Sequence, residues 1–61
     1  MNIEIITSDG RYLFDAPVPK VGDEVRFPVR DKDVTAKVDK ITYVLSARQD
    51  RHKVEVLVSE V

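Results

Sequence analysis

The chain has 61 residues, no cysteine and a formal net charge of −1. A chain this short folds as one domain (residues 1–61) and buries only about 60% of its unfolded surface; a core of that size supplies about 3–5 kcal/mol, which leaves little room for a deep or strained catalytic pocket. The missing cysteines exclude disulfides and thiolate–zinc sites, and a near-zero charge argues against a general polyanion binder.

The charge is unevenly spread. Residues 1–24 hold five carboxylates against Arg11 and Lys20, whereas residues 25–53 hold eight cations against four carboxylates. The middle of the chain is therefore locally basic. No apolar run approaches the roughly 20 residues of a membrane helix, and the N-terminus lacks a basic region followed by an apolar one. A soluble cytoplasmic protein without membrane contact is expected.

Asn2–Thr7 reads as a first strand, with Ile3 and Ile5 on one face and Glu4 opposite. Ile6 breaks the alternation, so this end is expected to be covered on both faces. Ser8-Asp9-Gly10 suits a tight hairpin, because both central positions of a type I′ turn need positive φ. Arg11–Asp15 returns as a second strand, with Tyr12 and Phe14 sharing a face and Leu13 on the other. Pro17 and Pro19 remove two ladder donors, so Ala16–Lys20 is expected to be a connector over the surface or along an edge. Val18 and Val21 beside the prolines make a small apolar patch, either a lid or part of a partner surface. Val21-Gly22-Asp23 is a turn with glycine at the tight position.

Glu24–Val29 is the third strand, with Val25, Phe27 and Val29 inward and Glu24 and Arg26 outward. Pro28 must lie at an edge or a bulge. Arg30–Asp33 is a charged turn. Val34–Leu45 is the longest strand-like stretch, and the other strands look like its partners. Val34, Ala36 and Val38 share one face; then the pattern slips by one, and Ile41, Tyr43 and Leu45 continue the apolar set. A β-bulge at Asp39-Lys40 keeps both halves on one core and bends the strand, unless the stretch is two strands broken there. Ser46–Lys53 is polar, a loop or a hairpin tip. Lys53–Val61 closes the chain with Val54, Val56 and Val58 on one face. Five short strands in so short a chain hide their apolar faces by curling into a small barrel or a strongly bent sheet.

Val21-Gly22-Asp23-Glu24-Val25 resembles the turn-then-strand entry of small SH3-like barrels, including KOW- and Tudor-like modules. Val38, Ile41, Tyr43 and Val54–Val58 resemble the paired strands that follow it. The likeness covers residues 21–61 and leaves out the N-terminal hairpin and the proline connector. The whole layout is also similar to short proteins of bacteriophage and prophage genomes. The resemblance implies an all-β fold, a five-stranded antiparallel SH3-like small barrel or strongly bent sheet. The chain departs from peptide-gripping SH3 domains in having no tryptophan, and from aromatic-cage readers in having no cluster of aromatics at one rim.

Arg48, Arg51, His52 and Lys53 form the main candidate site. Arginine can meet phosphate or carboxylate bidentately, yet a solvated hairpin tip has the same composition. Arg26, Lys37 and Lys40 extend the basic stretch along the central strands. His52 is the lone histidine, without the further ligands a metal needs or the nucleophile a general base needs. Asp31, Asp33 and Asp39 lack the glycine and the terminal glutamate of a calcium loop. No enzyme, metal or cofactor is expected. A protein partner is the first expectation, met through an exposed strand edge or the 46–53 loop; RNA or DNA bound by the basic residues is the second. An edge-paired homo-oligomer is the third.

Overall fold

The computed structural model describes residues 1–48 and 52–61. They form five strands: β1 (Asn2–Ile6), β2 (Arg11–Asp15), β3 (Glu24–Val29), β4 (Lys32–Val44) and β5 (Lys53–Glu60). The strands make one sheet in the order β2-β1-β5-β4-β3. Odd-numbered strands run one way and even-numbered strands the other. Because β5 lies between β1 and β4, it pairs antiparallel with β4 and parallel with β1.

The expected antiparallel sheet is therefore corrected to a mixed one, with the β1–β5 pair parallel. Period-two alternation looks the same beside a parallel or an antiparallel neighbour, so the pattern carries no information on direction. The sheet curls strongly into a half-barrel. Its two end strands, β2 and β3, stay more than 8 Å apart at their Cα atoms, so no ladder closes the ring. Side chains bridge the opening instead. The Tyr12 and Phe14 rings lie 5.9 and 6.1 Å from the Phe27 ring, centroid to centroid.

The concave face carries the core of Ile3, Ile5, Phe27, Ala36, Val38, Val54, Val56 and Val58, with Tyr12, Phe14, Val18, Val25 and Ile41 packed against it. Each fully buried valine contributes about 1.5–3 kcal/mol relative to exposure. β4 is one continuous strand of 13 residues, bent by a register shift between Val38 and Lys40. The expected bulge is there, and Ser59 Oγ donates a hydrogen bond to the Asp39 carboxylate at the slip. Val38 opposite Val58 and Ile41 opposite Val56 keep one face on both sides of it.

Tyr43 and Leu45 do not join the core; they are 60% and 78% exposed. Tyr43 stands opposite buried Val54 on the concave side, but β3 begins only opposite Lys37 and leaves this end of β4 uncovered.

Two turns explain local choices in the sequence. The Asp23 amide donates to Lys20 O at 3.0 Å, and Gly22 has φ 94°, the geometry of a type II turn with glycine at its third position. The Asp23 carboxylate accepts the Lys20 amide at 2.9 Å. Gly22 N–H and Asp23 C=O then pair with Val38, which docks the turn beside the bulge. The first hairpin differs from expectation. Its loop residues are Ser8 and Asp9, neither at positive φ, and Gly10 is not at positive φ either. Thr7 Oγ1 accepts the amides of Asp9 and Gly10 at 3.1 and 3.2 Å and so does the work assigned to an Asp-Gly turn. The second charged turn is shorter than expected: only Arg30 and Asp31 lie outside the strands, with Arg30 at φ 57°.

Candidate functional site: two open sheet edges

The six described candidates, Arg26, Lys37, Lys40, Arg48, His52 and Lys53, are not brought together. Arg26, Lys37 and Lys40 have outward side chains on β3 and β4. Arg26 Nε donates to Thr35 Oγ1 at 3.3 Å across the β3–β4 pair. Lys37 stands between Glu24 on β3 and Ser59 on β5, and Lys40 opposite Leu57. Arg48 follows β4 at the far end. At about 3.3 Å per residue, the stretch of β4 from Thr35 to its end spans roughly 30 Å. A ligand reaching Arg26 and the end segment would therefore have to run most of the length of a molecule 35 Å long, whereas Lys40 lies about 13 Å from the end of β4.

Side-chain hydrogen bonds join Ser46 to His52 and Arg48 to Ser46. Ser46 N–H donates to His52 Nδ1 at 3.0 Å, and Arg48 N–H donates to Ser46 Oγ at 3.1 Å. His52 thus accepts with Nδ1 and carries its proton on Nε2. Arg51 lies outside the described residues.

Lys53 is the first residue of β5, and its ammonium is occupied. Glu4 and Glu55 face each other across β1 and β5 on the convex side. Lys53 Nζ lies 3.4 Å from Glu4 and 3.8 Å from Glu55, and Arg11 lies 3.2 and 3.7 Å from the same two carboxylates. Two like charges directly opposite destabilise a sheet unless cations sit between them. Lys53 and Arg11 meet that need, and their stems cover the outer face of the two central strands.

The unpaired chemistry of the molecule lies at its edges. Ladder parity is read from the bonds that flank the strands. Thr7 N–H donates to Gly10 O and Ala16 N–H to Met1 O, so Tyr12 and Phe14 exchange bonds with β1. The amides and carbonyls of Arg11, Leu13 and Asp15 therefore point away from the sheet. On the other side, Val38 N–H donates to Asp23 O, so Val25, Phe27 and Val29 pair with β4. The backbone groups of Glu24, Arg26 and Pro28 then face outward. Pro28 sits where its missing N–H leaves no gap in the ladder, as expected for an edge.

Between these edges lie two openings to the core. A cleft of about 720 Å³ is lined by the apolar Tyr12, Phe27, Val29 and Val34 together with charged Asp9, Arg30, Lys32, Asp33 and Glu60. A smaller groove of about 290 Å³ runs between Phe14, Pro17 and Pro19 on one side and Val25, Phe27 and Pro28 on the other. The proline connector spans the half-barrel here. Val18 packs inward on the core, and Val21 remains 63% exposed.

Alternation along the sequence points to a strand edge without telling which, because strand order leaves no mark on it. Pro28 admits an edge or a bulge, and it lies on the edge strand β3. Among the described residues, no helix is long and apolar enough to cross a membrane. Comparison with protein-family models, with curated proteins and with solved structures finds no match.

Proposed function

We propose that this chain is a non-enzymatic protein-binding module that takes an extended segment of another protein along the free edge of β3 and into the cleft beside it. One observation carries the reading: a row of backbone groups at Glu24, Arg26 and Pro28 that β4 does not use, next to an opening walled by Tyr12 and Phe27. Strand addition draws affinity from main-chain hydrogen bonds and specificity from pockets for alternate side chains. It needs no catalytic motif and suits a chain without one.

The SH3-like kinship and a phage-type accessory role belong to this proposal. The first is supported by the Val21–Val25 entry, where Gly22 takes positive φ and β3 starts at Glu24. The second is supported by the strand layout alone. The test is selection of binders from a displayed library of unstructured peptides, followed by binding to an Arg26→Pro variant. That substitution deletes an edge amide that the ladder does not use. Selected peptides should lose most of their affinity for the variant. Equal binding, or no peptide selected, removes the β3 edge as the contact.

A second reading has one favouring observation. Arg26, Lys37 and Lys40 share the outer face of β3 and β4, where a nucleic-acid backbone could lie. Glu24 opposite Lys37 and Asp39 beside Lys40 oppose it. Fluorescence anisotropy with oligonucleotides at low and high salt discriminates the two. Binding that falls steeply with salt favours this reading, and absence of binding at low salt removes it.

A further inference from the structure

We infer that β2 is the contact between two copies of this chain, which pair edge to edge, antiparallel, about a twofold axis at Leu13. This goes beyond the partner reading and does not rest on it, since it uses β2 and not β3.

The argument is one of self-complementarity. A twofold contact must match a surface to itself, residue i against j and j against i. The outward backbone groups of β2 belong to Arg11, Leu13 and Asp15. Antiparallel pairing centred on Leu13 sets Leu13 against Leu13 of the second copy, and Arg11 against Asp15 of the second copy, twice. All three are positions whose amides and carbonyls face out, so each facing pair can exchange two bonds, about six in all.

The side chains agree with that register. Arg11, Leu13 and Asp15 all lie on the convex face. Leu13 is 65% exposed, a large apolar side chain in the middle of a charged strand. The side chains of Arg11 and Asp15 are 60% and 84% exposed, so both can reach across a new pair. Arg11 now holds Glu4 and Glu55, but a guanidinium has five N–H groups and can add a carboxylate. Asp15 meets only the N-terminal ammonium at 3.1 Å among the described residues.

The other edge fails the same criterion. Centring β3 on Arg26 sets Arg26 against itself, and Pro28 withholds a donor in any register. The proline and the like-charge pair disfavour β3 against a second copy of itself, while a segment of different sequence meets no such self-repulsion; β2 has neither. Two half-barrels joined through β2 make one continuous sheet.

Sedimentation equilibrium over a concentration series tests the inference with wild type, Leu13→Lys, Asp15→Arg and Leu57→Lys. Leu57 is an apolar side chain of the same outer face, 43% exposed, but on β5. Wild type should be a dimer that dissociates on dilution. Leu13→Lys and Asp15→Arg should be monomers where wild type is dimeric, with unchanged melting when dilute. Leu57→Lys should keep the dimer. A wild-type monomer throughout overturns the inference. So does a wild-type dimer in either β2 variant, or equal loss in Leu57→Lys.

Discussion

Gly22 offers the sharpest test of how the proline connector hands the chain to β3. Its φ is 94°, and a Cβ built there meets nothing within 4 Å. Any penalty for alanine is therefore one of backbone conformation and not of crowding. An L-residue in left-handed backbone costs about 1–2 kcal/mol. In a domain this small, each kcal/mol moves Tm by roughly 4–8 °C. Gly22→Ala should therefore lower the melting temperature by roughly 4–16 °C. The chain is short enough for chemical synthesis, which permits D-alanine at the same position. D-alanine adopts positive φ without strain and restricts the unfolded chain, so it should stabilise by about 0.4–1 kcal/mol. Thermal melts by circular dichroism read both. No loss with L-alanine would mean that the turn does not use positive φ. Equal loss with both isomers would mean that the space around Gly22 is filled.

The remaining predictions concern the second hairpin, the bulge and the convex face. Arg30→Gly relieves a non-glycine residue at φ 57° and should raise stability by a few tenths to about 1 kcal/mol in urea titrations. Deleting Asp39 removes the extra residue of the bulge and leaves Val38 and Ile41 two apart, still on one face, so the variant should keep a cooperative thermal transition; loss of that transition would contradict the register. Gly10→Ala should cost less than Gly22→Ala, since Gly10 is not at positive φ and a Cβ there makes ordinary contact with the Tyr12 ring, its hydroxyl nearest at 3.5 Å. Lys53→Met leaves Glu4 and Glu55 facing each other with Arg11 alone, a loss of about 0.5–1 kcal/mol that should shrink as salt is added.

Several features of this molecule were legible because they are local. The slip of the apolar pattern after Val38 announced the bulge, since one added residue flips every later side chain. Pro28 announced an edge or a bulge, and Gly22 with Asp23 announced a turn. Other features depend on what lies across the chain. Tyr43 has the right phase for the core, but whether it is covered depends on where β3 starts. The direction of β5 relative to β1 leaves no mark on alternation. Lys53 reads as part of a basic loop, yet its partner Glu4 is 49 positions away. Asp9-Gly10 suggested a glycine-dependent turn, and Thr7 replaced it with a side-chain oxygen. The candidate site divides in the same way: the charged residues were visible in the sequence, whereas the open edges became visible only with strand order.

Backbone amides of the end strands test the central claim most directly. Residue-resolved hydrogen exchange of the dilute protein should find Tyr12, Phe14, Val25 and Phe27 protected, with Arg11, Leu13, Asp15, Glu24 and Arg26 exchanging fast between them. Raising the concentration should slow Arg11, Leu13 and Asp15, and adding a selected peptide should slow Glu24 and Arg26. Uniform protection along β2 and β3 in the dilute protein would contradict the open-edged half-barrel and the binding role built on it.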